Sequence, residues 1–302
     1  MFISVIICTH NPRVDYLRRT LNSLSEQNYQ NTLWDLLIVD SGCNTPLDEG
    51  FLQAQHPRLR IKVMREALAG LTRARVCGIQ HTKGDLILFV DDDNVLSSNY
   101  ISILAQYGLS HQDIGVFGPG KVLPEFEQQP NSSILPLLPS LVLRDISTSI
   151  RSNIFNDSAT PYGAGMAVRR SVAEKFSEFI NKNTTYLQLG RTGTGLMGGE
   201  DLLFSYICVQ LGLLKGLFTD MNLVHLIPAF RVQTKYLLRL AYANGSSEAL
   251  LETVTGHQIG CPNLGWRILD YLQKIRRGDW TVARARMLQF KGYRDKRSEL
   301  LK

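Results

Sequence analysis

Short apolar runs, each followed by polar residues, alternate with segments of helical period over the first 120 residues. The run Leu86–Val90, LILFV, has the length and composition of a strand that is buried on both faces of a parallel sheet. Asp91, Asp92 and Asp93 follow it directly. Because unpaired charge is costly inside a core, we expect these acids just past the carboxyl end of the strand. Open α/β sheets bind their ligands at that edge.

Similar runs predict further strands, and helical segments separate them. Four or five such repeats favour an α/β fold with a mainly parallel, doubly wound sheet and right-handed crossovers. The pattern ends after Gly120, and the five prolines between residues 124 and 162 predict an irregular segment. The additional strands are predicted at residues 3–8, 36–39, 61–64 and 114–117.

The first predicted loop reads Thr9-His10-Asn11-Pro12. Asn11 is interpreted as a helix N-cap and Pro12 as the first helical residue. Backbone N–H groups and the Thr9 hydroxyl would then lie beside a helix N-terminus, which favours phosphate. Asp40, at the end of the second strand, is predicted either to accept a hydrogen bond from a base or ribose or only to cap its turn.

The helix predicted from Gly70 onward carries arginines in its first turns, including Arg75. These arginines are expected near the same sheet edge, where a guanidinium can pair with a diphosphate or with an acidic partner. The three consecutive aspartates offer hard oxygen ligands, which suit Mg²⁺ or Mn²⁺ carrying substrate phosphates. A solvated acidic turn is the alternative interpretation.

Glu200 and Asp201 follow a Gly/Thr-rich loop, residues 190–199, and begin a predicted amphipathic helix. Carboxylates at a helix N-terminus are explained by capping alone. A mobile glycine loop beside paired acids instead favours a general base that meets an acceptor hydroxyl. His225 ends a later predicted strand and is either a structural histidine or a metal ligand.

Composition places the chain among ordinary globular proteins, with 302 residues, 44% apolar and 20% charged. No run is long enough to span a membrane, and the apolar start is too short for a signal peptide. Five scattered cysteines without a CxxC pair predict reduced, mostly buried thiols. Together these features predict a cytoplasmic protein.

Positive charge is concentrated at the end of the chain. Residues 231–302 carry 14 Lys and Arg against 6 Asp and Glu, a net charge of +8, whereas the first 230 residues carry −2. A basic helical tail favours peripheral contact with an anionic membrane, at the inner face of the cell membrane. An ordinary solvated face is the alternative. Nucleic acid is not expected as a partner, because no zinc-finger spacing or aromatic RNA-binding signature accompanies the charge.

Residues 2 to 240 together resemble the family 2 glycosyltransferases, inverting enzymes of the GT-A type that use a nucleotide-diphosphate sugar and a divalent metal. The resemblance rests on the order and spacing of six segments: VIICTHNP, LLIVDSG, EALAGLTRARVCGI, ILFVDDDN, YGAGMAVRR and GGEDLLF. It implies a catalytic domain at residues 1–230, with a nucleotide-binding half (1–120) and an acceptor-binding half (121–230). Residues 231–302 would be a basic helical extension.

The resemblance also implies roles for the candidate residues. Thr9 and Asp40 would bind the base and ribose, and Arg75 would support the nucleotide site. Asn11, in the same loop as Thr9, is a further candidate for that site. Asp201 would be the catalytic base, with Glu200 beside it. For the metal it implies Asp91 and Asp93 as the DxD pair, and His225 is the further candidate ligand. Asp92 stands where a small residue is commoner, which leaves open which two of the three carboxylates contact the metal. Asp91 and Asp92 are also candidates for the donor site.

The implied reaction moves a sugar from a nucleotide-diphosphate donor to a hydroxyl of a saccharide or lipid-linked acceptor. Two alternatives remain. A non-catalytic sugar-nucleotide binder or scaffold would need no base, and Glu200-Asp201 argues against it. A sugar nucleotidyltransferase should carry a glycine-rich basic loop after its first strand, where this chain has THNP.

Overall fold

The computed structural model describes the backbone of residues 1–260 and 264–301, and side chains in the same ranges except 264–269. Across these residues ten strands form one sheet flanked by helices, and the predicted mainly parallel α/β architecture is confirmed. The strands are β1 (Ile3–Thr9), β2 (Trp34–Ser41), β3 (Ile61–Glu66), β4 (Leu86–Val90), β5 (Asn94–Leu96), β6 (Ile114–Phe126), β7 (Arg144–Asp145), β8 (Ile150–Ser152), β9 (Ala167–Arg169) and β10 (Leu214–Ile227).

The main path through the sheet is β3-β2-β1-β4-β9-β6-β10-β5. The first four strands of this path are parallel, and β6 is parallel to β10. Strand β9 is antiparallel to both of its neighbours, β4 and β6. The register pairs Thr9 with Asp40 and Ile7 with Val90, so the ends of β1, β2 and β4 lie at one edge. This edge carries the candidate chemistry.

The helices cover both faces of the sheet, as a doubly wound fold requires. Leu21 and Leu104, from the first and fourth helices, belong to one apolar core. Ala74 and Phe204, from the third and sixth, belong to the core on the other face. The helices are α1 (Val14–Ser25), α2 (Glu49–Gln55), α3 (Leu71–Gln80), α4 (Tyr100–Ser110), α5 (Arg170–Lys182), α6 (Glu200–Gln210), α7 (Thr234–Thr255), α8 (Leu264–Arg276) and α9 (Trp280–Leu300).

One predicted helix start was wrong. Helix α1 begins at Val14 with Arg13 as its N-cap, two residues later than the predicted start at Pro12. Asn11 is not a cap, because its backbone has a φ of 51°. Asparagine tolerates this left-handed conformation better than most residues.

The irregular segment after Gly120 folds against the C-terminal helices. Strand β6 continues to Phe126, well beyond the four residues predicted, and a 3₁₀ segment follows at Ser132–Leu141. Ile134 of this segment shares a small apolar core with Tyr236 and Leu237 of α7. The segment and the extension therefore form one packed unit.

The helical extension is confirmed, and its helices α7 and α9 cross very closely. A Cβ added at Gly245 would lie 1.8 Å from the carbonyl oxygen of Gln289, and one at Gly292 would lie 2.0 Å from that of Tyr242. Two glycines, one from each helix, thus allow backbone to touch backbone. No helix among the described residues is long and apolar enough to cross a bilayer.

The cysteines that the structure describes are free thiols. Cys43 and Cys208 are buried, whereas Cys8 and Cys77 are half-buried. The fifth, Cys261, lies outside the described residues. Desolvation of Cys8 raises the pKa of its thiol, and desolvation of Cys208 raises the pKa of its thiol to about 12. Such thiols are protonated at neutral pH and are poor nucleophiles.

Candidate active site

A cavity of about 860 Å³ opens at the carboxyl edge of the sheet. It is lined by residues from the ends of β1 and β4, the start of α6, the end of β10 and the face of α7. Most of the predicted site residues line it together: Thr9, Asn11, Arg75, Asp91, Asp92, Asp93, Glu200, Asp201 and His225. The fold therefore brings together groups that are more than 200 residues apart in sequence.

The three aspartates occupy a tight turn between β4 and β5. The Asn94 amide donates to the carbonyl of Asp91 at 3.1 Å, and the Asn94 side-chain oxygen accepts from the Asp91 amide at 3.3 Å. This closed turn directs the three carboxylates to different surroundings. Asp91 has 37% of its side chain accessible, and it lies 3.8 Å from Arg75 Nη2.

The Asp92 carboxylate accepts a short hydrogen bond from the Thr9 hydroxyl. Burial raises the pKa of Asp92 to about 7, the neighbouring Asp93 adds to the shift, and the Thr9 hydrogen bond opposes it. A carboxyl that resists ionisation next to other carboxylates marks a place where a cation would be stabilised.

Asp93 is buried and paired with two groups from the far end of the chain. Its Oδ2 lies 3.0 Å from Arg231 Nη1 and 3.5 Å from His225 Nε2. Although desolvation opposes ionisation, His225 and Arg231 hold the pKa of Asp93 below its ordinary value. The backbone supports this contact, since the Leu226 amide donates to the Asp93 carbonyl at 2.8 Å.

Glu200 and Asp201 begin α6 and have different environments. The carboxylate of Glu200 is only 5% exposed and lies 3.2 Å from Arg75 Nη1. Asp201 is half-buried and lines the cavity, and its Oδ1 accepts from the Leu202 amide at 2.8 Å. Capping of the helix is therefore one function of Asp201, but Asp201 is also the more accessible carboxylate of the pair.

Burial raises the pKa of both acids. The pKa of Glu200 reaches about 7, because desolvation and the charge of Asp201 outweigh the attraction of Arg75. Desolvation also raises the pKa of Asp201, against the opposing effects of the Leu202 amide and Arg75. A carboxylate with a raised pKa is a stronger base than an ordinary aspartate.

Arg75 is the fixed cation at this end of the cavity. Its guanidinium is 2% exposed, lies 4.9 Å above the ring of Phe89, and contacts both Glu200 and Asp91. A Cβ at Gly163 would lie 2.7 Å from Arg75 Nη2, so that glycine leaves the space that the guanidinium occupies. Despite burial, Glu200 and Asp91 keep the pKa of Arg75 above its ordinary value.

The loop after β1 presents polar groups at the cavity wall. The Asn11 side-chain oxygen accepts from the Asn44 amide at 2.8 Å, and its amide nitrogen lies 3.1 Å from His10 Nε2. His10 Nδ1 in turn lies 2.7 Å from the carbonyl oxygen of Ser41. Both His10 and Asn11 are exposed, and this leaves them accessible to a bound molecule.

Asp40 does not line the cavity. It is 1% exposed, and its two oxygens accept from the amides of Cys43 at 2.8 Å and Leu47 at 3.1 Å. The pKa of Asp40 is held below its ordinary value by these amides, although burial opposes the shift. The turn-capping alternative describes this placement, and contact of Asp40 with a base or ribose stays a prediction.

The extension supplies the end wall of the cavity. Leu240, Asn244 and Glu248 of α7 lie along it, and Gln289 of α9 donates to Glu248 at 2.5 Å. The amide of Gly198, in the glycine loop, donates to the Ser247 hydroxyl at 3.0 Å. The basic extension is thus part of the site.

The donor set at the acids fits a divalent ion that shares its coordination with a substrate. Among the described residues no three His, Cys, Asp or Glu side chains are arranged around one point. However, Asp93 and His225 offer two ligands at one place, and Mg²⁺ commonly takes the rest from substrate phosphates and water. We therefore regard Asp93 and His225, with Asp91 and Asp92 beside them, as the residues that would hold it.

The family profile of glycosyl transferase family 2 matches residues 4–177, more than half of the chain. The chain belongs to this family. Among its relatives, glycosyltransferase GlyA of Streptococcus pneumoniae is 30% identical over 115 residues, covering 38% of this chain and 16% of GlyA. The poly(ribitol-phosphate) β-N-acetylglucosaminyltransferase TarS of Staphylococcus aureus is 25% identical over 169 residues, covering 52% of this chain and 29% of TarS.

The same architecture is found in a solved structure of S. aureus TarS residues 1–349 in complex with UDP-GlcNAc. It superposes with a TM-score of 0.51 and 15% identity, covering 100% of this chain and 92% of the TarS fragment. At this identity the likeness concerns the fold. The chain spans less than a third of the length of the two curated relatives named above.

Several cavity residues were not predicted from the sequence. Arg231, Arg191 and Tyr162 line the cavity, as does Gln289. Arg231 was counted only as the first residue of the basic extension. A lone arginine after a Pro-Ala-Phe turn carries no motif, and its partner Asp93 is 138 residues away.

Proposed function

We propose that the protein is an inverting glycosyltransferase that moves a sugar from a nucleotide-diphosphate donor to an acceptor hydroxyl, with Mg²⁺ or Mn²⁺ as its metal. One observation carries the proposal: an accessible carboxylate at a helix start, Asp201, shares one cavity with the acidic cluster after β4. Family membership supports the reaction class.

In this mechanism Asp201 accepts the proton of the acceptor hydroxyl as its oxygen attacks the anomeric carbon. The new C–O bond forms on the face opposite the diphosphate, the bond to the diphosphate breaks, and the configuration inverts. Arg75 keeps Glu200 in place beside the base. A bound metal would offset the charge that develops on the departing diphosphate.

UDP-GlcNAc is the first donor to test. The relative TarS is named as an N-acetylglucosaminyltransferase, and one of its solved structures contains UDP-GlcNAc. We propose the same donor class here because the two chains share sequence over half of this one. The loop of His10 and Asn11 would face the nucleotide.

The experiment is a panel of nucleotide sugars, beginning with UDP-GlcNAc, assayed for release of nucleoside diphosphate with MgCl₂, MnCl₂ or EDTA. We expect release with at least one donor and its loss in EDTA. The Asp113→Asn variant serves as a control and should release nucleoside diphosphate as the wild type does. Asp113 is an exposed aspartate at the amino end of β6, at the opposite edge of the sheet. Metal-dependent binding without any release would instead favour a non-catalytic sugar-nucleotide binder.

For the acceptor we propose a saccharide, free or lipid-linked. The end wall offers the amide of Asn244, the carboxylate of Glu248 and the amide of Gln289, and such groups commonly bind sugar hydroxyls.

A second groove of about 650 Å³ lies behind the glycine loop, where Leu238 and Leu288 are accompanied by basic side chains. An apolar groove with cations at its margin supports a lipid-linked acceptor. These cations are Lys235, Arg239 and Arg284.

The same proposal includes peripheral contact with an anionic membrane. Helices α8 and α9 expose Leu272, Trp280 and Met287. The basic residues exposed near them are Arg276, Arg277, Arg284 and Arg286. Apolar side chains beside cations are typical of surfaces that lie on anionic lipids.

We expect the protein to sediment with anionic liposomes at low salt and to be released at high salt. Equal binding to neutral vesicles would contradict the electrostatic account. Loss of binding is expected when Lys274, Arg276, Arg277, Arg284 and Arg286 are neutralised.

A further inference from the structure

The guanidinium of Arg231 occupies a point at which two acceptor atoms converge. Its Nη1 lies 3.0 Å from Asp93 Oδ2 and 3.2 Å from His225 Nε2. A guanidinium nitrogen can only donate, so this contact is a hydrogen bond in the tautomer in which Nε2 carries no proton. In that tautomer the lone pair of His225 and an oxygen of Asp93 are directed at the same positive group.

An imidazole lone pair and a carboxylate oxygen aimed at one point are the ligands of a divalent cation. In this structure a permanently charged side chain holds that position. Asp93 is 9% exposed, so it would be costly to leave its charge unpaired. When no metal is bound, Arg231 neutralises the charge of Asp93.

We propose that Arg231 is an exchangeable counter-ion: it holds the Asp93–His225 position in the empty protein and yields that position to a divalent metal. On leaving Asp93 it pairs with the diphosphate of the donor. The inference rests on the proposed function, because the donor supplies the anion that receives Arg231.

The diphosphate is a suitable second partner, because guanidinium groups bind phosphate oxygens in bidentate geometry. Arg231 also lines the donor cavity, and 18% of its side chain is accessible. Its Nε is buried without a partner among the described residues, so the present pairing does not use all of its donors. A rotation of the side chain could therefore exchange one anion for another.

This arrangement couples the binding of the metal to the binding of the nucleotide. A metal that binds alone must displace Arg231 and leave its charge without a partner in the cavity, whereas a metal that binds with a diphosphate does not. Each ligand should therefore strengthen the binding of the other by the same factor. Removal of the positive charge of Arg231 should make the two binding events independent.

The test is titration of the full chain with Mn²⁺, followed by electron paramagnetic resonance, with and without UDP. We expect the wild type to bind Mn²⁺ weakly alone and more tightly with UDP. Arg231→Gln should bind Mn²⁺ alone at least tenfold more tightly than the wild type and should gain less from UDP. Arg231→Lys, which keeps the charge, should remain closer to the wild type.

The matched control is Arg13→Gln. Arg13 also lines the cavity, but its ion pairs are with Asp15 and Glu127. Its loss should leave Mn²⁺ affinity unchanged. Thermal melting verifies the fold, and Arg231→Met replaces the glutamine variant if that variant does not fold.

Unchanged or weaker Mn²⁺ binding in the neutral variant would overturn the inference. So would the absence of Mn²⁺ binding in every variant, with or without UDP. The readout is independent of sugar transfer. Tighter Mn²⁺ binding in a protein that turns over no donor would sustain the counter-ion role while the proposed activity fails.

Discussion

Two acidic clusters line the cavity, and two arginines pair with them, but the two arginines are held differently. Arg75 lies within α3 at 2% exposure and contacts both clusters through Glu200 and Asp91. Arg231 lies on a short 3₁₀ segment before α7, is 18% exposed and contacts Asp93. The difference indicates that charge at the helix start is fixed, whereas charge at the strand end can be exchanged for a ligand.

The largest expected effect is at the helix start. Asp201→Asn removes the proposed base while keeping the shape of the side chain, and turnover should fall by roughly 10² or more, with nucleotide affinity unchanged. Steady-state kinetics with calorimetry of UDP binding measures both. If Glu200→Gln produces this result instead, the roles within the pair are reversed. Equal losses of thermal stability in both variants, without a specific loss of turnover, would leave only capping.

The second largest effect is expected at the acidic cluster after β4. Asp93→Ala should weaken metal-dependent UDP binding by roughly tenfold or more, the scale on which metal sites respond to a damaged ligand set. Isothermal calorimetry in MnCl₂ and in EDTA separates the two contributions. Affinity that is the same in all four combinations of variant and medium would remove the metal role of this cluster. Asp113→Asn serves again as the carboxylate control.

A pH profile distinguishes the fixed arginine from the exchangeable one. The positive charge of Arg75 lowers the pKa of Glu200 and of Asp201, against the larger effect of burial. In Arg75→Gln both pKa values should rise, so the acid limb of kcat/KM should move to higher pH. Arg231→Gln should move this limb less, because Arg231 is not among the charges that shift the pKa of Glu200 or Asp201. An acid limb that does not move in Arg75→Gln would contradict the assignment of Asp201 as the titrating base.

The smallest expected effect is at Thr9. Its hydroxyl lowers the pKa of Asp92, which burial and Asp93 raise to about 7. Thr9→Val should raise that pKa, so more of Asp92 is protonated at neutral pH and metal-dependent UDP binding weakens a few-fold at pH 7. At pH 9, where Asp92 is ionised in both proteins, the difference should shrink. A deficit that is independent of pH would instead indicate direct contact of Thr9 with the nucleotide.

Local patterns were sufficient to predict most of the sheet edge. The strand before the three aspartates, the helix that carries Arg75 and the helix that begins with Glu200 are each encoded by residues close in sequence. Their shared edge follows from the rule that parallel strands end together. The family profile supports the same segments up to residue 177.

The rest depends on contacts that no local pattern contains. Strand β9 is only three residues long and inserts antiparallel between β4 and β6, so its place is set by packing. The pairing of Asp93 with Arg231 joins residues 138 positions apart. Sequence alone left two roles open for Asp40, because an acid after a strand has the same sequence signal whether it binds a ligand or the amides of its own turn.

The close crossing of α7 and α9 offers a way to recognise chains that share the end wall. Any side chain larger than hydrogen at Gly245 or Gly292 would push the two backbones apart and carry Gln289 away from Glu248. Each helix needs its own glycine at the crossing, so glycine at both positions is a sequence signature of this contact. Both positions lie beyond residues 4–177, the part that the family profile matches. A relative with glycine at both positions is expected to build the same end wall. One with a bulky residue at either position cannot build the same end wall, and the two groups can be sorted from their sequences before any assay is run.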